Sequence, residues 1–209
     1  FFSSGGSWLQ EITIGWMTYE LTKSAFLTSL ALGLSALPIL LAGPLGGVLV
    51  DSLDRRKVLA IASAYQVLVT LGFSAIVFLD RAEPWNIMGF VLLMGIAWVL
   101  ADPSRMSLIP NLVPRQNLIN AFALNSLAFS GPRLLAPLLG GAVLAVWGAG
   151  PALLSQAGIY LVAMFLSLSL RTEPSHRAKL RLGSTLSGLA AGARYVKGEP
   201  MILSLMVIG

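Results

Sequence analysis

Residues 26–50 read FLTSLALGLSALPILLAGPLGGVLV, and residues 51–57 read DSLDRRK. The first stretch is 25 residues long and holds no charge. As an α-helix it would extend about 37 Å, more than the roughly 30 Å hydrocarbon core of a bilayer. The second stretch gathers Asp51, Asp54, Arg55, Arg56 and Lys57. A long apolar run closed by a basic cluster is the pattern of a membrane crossing anchored at the lipid headgroups. Helix is the state that satisfies its backbone in lipid, and the run lacks the period-2 alternation of barrel strands.

The same pattern recurs on either side. Residues 58–79 and 85–101 are charge-free, the latter ending at Asp102. Residues 134–170 are also uncharged and are too long for one crossing. They divide at Gly148-Ala149-Gly150-Pro151, a turn signal, and the first member of the pair extends back past Arg133 to about Leu118. Residues 1–22 complete the set, with Glu11 inside and Glu20 near the end. An all-α membrane protein with six crossings is therefore expected.

The remaining chain reads as a linker and a new start. Residues 171–199 are polar and basic, yet Leu182, Leu186, Leu189, Ala193 and Val196 recur at helical spacing. That spacing predicts an amphipathic helix, lying on the membrane surface or serving as a soluble linker. A further apolar run starts at Met201 and stops at Gly209, about 15 Å on, half a crossing. The expectation is a fragment of a longer protein: a six-helix membrane domain over 1–170, a cytoplasmic linker over 171–199, and the start of a second membrane domain over 200–209.

Composition agrees. Hydrophobic residues make up 56% of the chain and charged residues 11%, against about 25% charged in a soluble domain; mean hydropathy is +0.81. The net charge of +5 comes from short clusters between apolar runs, which is not the footprint of a nucleic-acid partner. There is no cysteine, and the one histidine, His176, sits in a polar stretch. No metal site, thiol nucleophile or cofactor-binding motif is expected. Neither His nor Cys falls in any apolar run, which argues against an intramembrane enzyme. No Gly-x-x-x-x-Gly-Lys loop points to ATP hydrolysis.

Basic residues alternate between connections. Arg55, Arg56 and Lys57, then Arg105 and Arg115, then Arg171, Arg177, Lys179, Arg181, Arg194 and Lys197 occupy every second one, while the others hold only Lys23 and Arg81. The positive-inside rule places loops 51–57, 105–117 and 171–199 in the cytoplasm, with the first helix running outward.

Three groups of residues carry candidate function. In the first, Gly47, Asp51, Arg55 and Arg56 resemble the G-x-x-x-D-x-x-G-R-[RK] signature between helices 2 and 3 of the major facilitator superfamily; Asp54 stands where that pattern usually has glycine. Asp51 is also placed to accept hydrogen bonds from the amino end of the next helix or of a neighbour. The resemblance implies a cytoplasmic gate, with Arg105 as a further member. It also implies a twelve-helix fold of two halves, each a 3+3 inverted repeat, of which this chain is the amino-terminal half.

In the second group, Ala136, Pro137, Gly140 and Gly141 resemble the G-P-x-x-G-G pattern in helix 5 of drug and proton antiporters of the same superfamily, with Ala136 for the leading glycine. This implies a bend that governs opening and favours export. Gly43-Pro44-Leu45-Gly46-Gly47 is a related string in the second crossing. The string from Arg105 to Pro114 and the segment 16–22 are similar to the branch that includes enterobactin exporters and related efflux proteins.

The third group is Glu11 and Arg133, ionisable residues within crossings. Such groups cost about 2.5–3.5 kcal/mol at helix centres on insertion scales, so they normally face a cavity or each other. Glu11 is expected to line a cavity and to bind protons or a cationic substrate, or else to hold a structural hydrogen bond. Arg133 is expected in a structural or anion-binding role. The function so implied is proton-coupled export of small organic molecules; a non-transporting scaffold or sensor of the same fold is the alternative.

Overall fold

The computed structural model describes residues 2–169 and, within them, every side chain except those of Pro44, Leu45, Val48, Asp51, Ser52, Asn111, Leu112 and Arg115. The expected linker at 171–199 and the run at 200–209 lie outside the described residues. Seven α-helices follow one another: α1 Phe2–Thr22, α2 Ala25–Leu34, α3 Ala36–Ser52, α4 Arg55–Phe78, α5 Pro84–Leu112, α6 Leu118–Trp147 and α7 Ala149–Ser169.

The two helices α2 and α3 are one apolar stretch with a local break. Pro38 has no N–H for the carbonyl one turn back. The break falls at Ser35, whose backbone stays helical (φ −61°, ψ −27°) and whose Oγ donates to the Leu32 carbonyl at 2.8 Å. Five stretches among the described residues are long and apolar enough to cross a membrane: Ala25–Gly43, Arg55–Phe78, Pro84–Pro110, Leu118–Trp147 and Ala149–Ser169. Of the six expected crossings, α1 is the one absent from that set. At 21 residues it has the length, but Ser, Thr, Gln and Glu side chains lower its apolar character.

Ser4, Gln10, Thr13 and Thr18 of this helix point inward. Thr13 and Thr18 are fully buried and donate to the carbonyls of Leu9 and Ile14 at 2.9 and 2.8 Å, and Gln10 accepts from Gln156 of α7 at 3.0 Å. Leu40, Leu41, Ile61, Leu68, Leu134 and Leu138 face outward instead. Polar groups inside and leucines outside reverse the soluble arrangement and suit a lipid solvent.

The helices pack in a defined set of pairs. α4 lies between α5 and α7; α1 lies against α6, α7 and α2; α3 lies against α5. The centre is built from Ile14, Met17, Val67, Phe73, Ile87, Phe90, Met94, Leu153 and Tyr160. Phe73 and Phe90 stack there with centroids 4.5 Å apart.

Connections are short, and their ends are chemically marked. Ser24 caps α2 through its Oγ, which accepts from the Leu27 N–H at 3.3 Å. Asp54 caps α4, accepting from the N–H groups of Arg56 and Lys57 at 3.1 and 3.4 Å. Asp51, expected as an acceptor for this amino end or for that of a neighbour, belongs to the last turn of α3, and its side chain lies outside the described set. Asp54 stands one residue before α4, where a carboxylate reaches the second and third N–H groups. Its φ of −70° also shows why glycine is not required at this position. Gly148 alone joins α6 to α7, at φ 84° and ψ −175°, a region essentially restricted to glycine.

One boundary differs from expectation. The fourth apolar run was to end near Asp102 with a loop from Arg105, but α5 continues to Leu112 through Pro103 and Pro110. Pro103 leaves the Val99 carbonyl without its helical donor. Gly46 of α3 packs directly against that carbonyl, where a Cα–H group offers a weak substitute.

Candidate functional site

Residues Ser4, Trp8, Glu11 and Gly15 follow the i, i+3/i+4, i+7 rule and therefore share one face of α1. The structure opens two adjoining clefts along that face. One, of about 220 Å³, is bounded by α1, α2, α3, α5 and α6 and includes Ser7, Trp8, Glu11, Ser35, Trp98 and Phe129. The other, of about 530 Å³, includes Trp8, Glu11, Trp16, Leu32, Arg133 and Pro137. Trp8, Glu11 and Leu32 belong to both. The two ionisable residues singled out by the sequence thus meet at one site, from α1 and α6.

Their settings differ. The Arg133 guanidinium lies over the Trp8 ring, 5.0 Å from its centroid. Trp8 meets Phe129 edge-on at 6.3 Å, and the Arg105 guanidinium lies 5.4 Å from the Phe129 centroid. Arg105, Phe129, Trp8 and Arg133 thereby form one cation–aromatic–aromatic–cation array across three helices. Each cation–ring contact contributes about 0.5–2 kcal/mol depending on its desolvation. Glu11, in contrast, makes no hydrogen bond or ion pair among the described residues and is exposed to the clefts. Its carboxyl group is free to meet whatever enters the clefts.

Arg105 was expected in a cytoplasmic loop with the gate residues. It lies inside α5 instead, because the helix runs on past it. Its guanidinium pairs with Asp102 one turn earlier and donates to Ser4 Oγ at 3.1 Å. With Phe129, it ties α5 to α1 and α6. Arg55, the first residue of α4, donates from Nη1 to the Ser107 carbonyl of α5 at 3.0 Å. This bond brings the α3–α4 turn onto the end of α5. Arg56 lies in the first turn beside the Asp54 cap. Gly47 has open space where a Cβ would stand. Asp51 is on α3, its side chain outside the described set.

The α6 motif divides its residues between two faces. Gly140 packs on the Leu9 side chain of α1, with no room for a Cβ unless that leucine moves, whereas Gly141 has open space. Pro137 lines the larger cleft beside Glu11 and Arg133. Ala136 and Gly140 line a third, almost wholly apolar groove of about 270 Å³ with Leu9 and Pro132. Pro137 also removes the donor that the Arg133 carbonyl would otherwise receive.

Trp8, Phe129, Trp98 and Ser4 were not singled out from the sequence. A signal did exist: Trp8 is three residues before Glu11, and Phe129 is four before Arg133, the spacings that put side chains on one helix face.

The sequence profile of the transmembrane secretion effectors, a major facilitator family, matches residues 1–209. The chain belongs to this family. Among curated relatives, the staphyloferrin A transporter of Staphylococcus aureus is 27% identical over 176 residues, covering 81% of the chain and 44% of the relative. The enterobactin exporter EntS of Shigella boydii is 26% identical, covering 90% and 45% respectively. The multidrug efflux pump Tap of Mycolicibacterium fortuitum is 21% identical, covering 99% and 52%. The chain spans about half the length of the curated relatives it matches. Family and relatives are transporters of small molecules, not enzymes, and place this chain among multi-pass membrane proteins of the major facilitator type.

Proposed function

We propose that this chain forms the amino-terminal six-helix half of a secondary active transporter that exports small organic molecules, drug- or siderophore-like, in exchange for protons by alternating access. The observation that carries this reading is the convergence of Glu11 and Arg133 on one cleft, with an unpaired carboxylate beside an aromatic array. A carboxylate so placed can exchange a proton for a substrate. The relatives are named for a siderophore, a siderophore exporter and a multidrug pump.

The sixth crossing in this proposal is α1. Helix packing supports a 3+3 inverted repeat that pairs α1 with α5, the α2–α3 span with α6, and α4 with α7. Under that exchange, the α1–α6 contact becomes α5–α3, the α1–α7 contact becomes α5–α4, and α4–α7 maps onto itself; all of these contacts are present. Gly46 on Val99 and Gly140 on Leu9 correspond in the same way. Segmental inversion with Gly/Pro-interrupted helices is a transporter architecture.

In this reading the α3–α4 turn faces the cytoplasm of a bacterial inner membrane, as do the connection after α5 and residues 171–199. Gly47, Asp51, Arg55 and Arg56 act there as a latch, Arg105 supports it from within α5, and the missing carboxy-terminal half is the partner. The bend at Ala136–Gly141 sets the outward opening.

The test is flux in proteoliposomes holding the intact transporter. A proton gradient should drive solute movement. Glu11→Gln should lose gradient-driven movement but keep solute counterflow. Asp51→Asn should insert normally and transport poorly. Equal gradient-driven flux by wild type and Glu11→Gln would remove Glu11 from coupling, and no flux under any gradient would favour a scaffold.

A further inference from the structure

One layer of the bundle holds more hydrogen-bonding groups than its helices satisfy. Gln66 of α4 and Gln156 and Tyr160 of α7 are at most 1% exposed. Among the described residues, Gln66 has no partner at either end of its amide, Gln156 none at its Oε1, and Tyr160 none at its hydroxyl. These groups share one level of the bundle. Ser74 of α4 donates to the Gly150 carbonyl of α7, and the Phe78 ring stands against Gly150. The end of α4 therefore meets the start of α7. Eight residues back from Ser74 is Gln66, and eight residues on from Gly150 is Gly158, with Gln156 and Tyr160 two residues to either side of it. At 1.5 Å per residue, the two α7 residues lie within about 3 Å of the height of Gln66. Helix α1 closes the layer. Gly6 has no room for a Cβ against the Tyr160 ring, and Gln10 accepts from Gln156 Nε2 at 3.0 Å.

We propose that this layer is an internal water site, holding about one or two ordered waters that bridge α4 to α7. The open groups include donors, the Gln66 amide N–H and the Tyr160 hydroxyl, and acceptors, the Oε1 atoms of Gln66 and Gln156. A ligand that satisfies them all must be small and must both donate and accept. Water does so with about two to four partners. A cation would face the open Gln66 N–H group and find no counter-charge, since none of Gln10, Gln66, Gln156 and Tyr160 is charged. A polar group buried dry is costly, and surrounding lipid offers it no substitute. The site is separate from the clefts: Gln10 lines the smaller one, and its bond to Gln156 stands between that cleft and the water layer. The close approach of Gly6 holds the Tyr160 ring, and with it the hydroxyl, in place. The proposal does not depend on the transport reading above.

X-ray hydroxyl-radical footprinting of the purified intact transporter in micelles tests it. Radicals form from bound water where it sits and oxidise the side chain beside it, so a buried ring reports on its own water. Phe90, 3% exposed and stacked on Phe73 in the apolar centre, is the dry control. Tyr160 should oxidise about tenfold or more faster than Phe90, although it is the more deeply buried ring. Gln66→Leu removes two of the four open atoms and should slow Tyr160 oxidation about threefold or more while leaving Phe90 unchanged. A size-exclusion profile checks that the variant is folded. Oxidation of Tyr160 no faster than that of Phe90 in the wild type would overturn the water site. Undiminished Tyr160 oxidation in folded Gln66→Leu would overturn the bridge from α4. If that variant does not fold, the wild-type comparison alone decides the proposal.

Discussion

Replacing Gly95 by alanine should destabilise the bundle, although alanine is the better helix former. Gly95 lies on α5 against the break between α2 and α3. A Cβ built there stands 2.7 Å from the Ser35 carbonyl oxygen, 2.9 Å from Pro38 Cγ and 3.1 Å from Pro38 Cδ. All three are backbone or ring atoms that cannot swing aside, so α5 and the α2–α3 span must separate by several tenths of an ångström. Overpacking of this kind costs about 1–3 kcal/mol, and rigid partners place it toward the upper end. The gain in helix propensity returns about 1 kcal/mol. The net expectation is a loss of about 2 kcal/mol. Gly89 lies on the same helix with nothing within 4 Å of its built Cβ, so Gly89→Ala should instead gain up to about 1 kcal/mol. Reversible unfolding in mixed micelles, titrated with a denaturing detergent, measures both. A shift of both variants in the same direction, or a Gly95→Ala midpoint equal to wild type, would refute rigid overpacking at this contact.

Asp54→Ala removes the α4 cap and should cost about 1 kcal/mol, while Asp54→Gly should cost only a few tenths; the same titration reads both. The interhelical bond between Gln156 and Gln10 should give a coupling of about 0.6 kcal/mol in a double-mutant cycle with leucine substitutions, as polar pairs between membrane helices do. A coupling indistinguishable from zero would mean that each amide finds another partner when alone. Gly148→Ala forces a Cβ into a glycine-only backbone region and should cost about 1–3 kcal/mol; an unchanged midpoint would show that the α6–α7 joint relaxes.

The element plan could be read from the sequence because lipid imposes a simple code. Charge-free runs of crossing length placed the helices from α2 to α7, and Gly148 fell at the head of the expected turn. Two proline-containing regions resisted. Pro38 produced a break that apolar patterning does not register, and Pro103 failed to end α5. The difference lies in the neighbours: Gly46 packs on the carbonyl that Pro103 leaves bare, and that is information from another helix. The site was half legible. Glu11 and Arg133 stood out because buried charge is costly in any crossing. The array linking Arg105, Phe129, Trp8 and Arg133 draws on α5, α6 and α1 at once, and no single-helix periodicity contains it. Asp54 illustrates a subtler point: the family signature expects glycine there, while the capping geometry uses its carboxylate one step before the helix.

The joint at Gly148 bears on how this protein is made. With α6 ending at Trp147 and α7 beginning at Ala149, the connection has no slack. During biosynthesis neither helix can settle across the bilayer while the other waits in an aqueous compartment, since no connecting chain is long enough to bridge the headgroup layer. The pair has to leave the insertion machinery as one hairpin, and the orientation of each fixes the other. Arg133 travels within that hairpin, so the cost of carrying its charge into the membrane is set against the apolar length of both arms together.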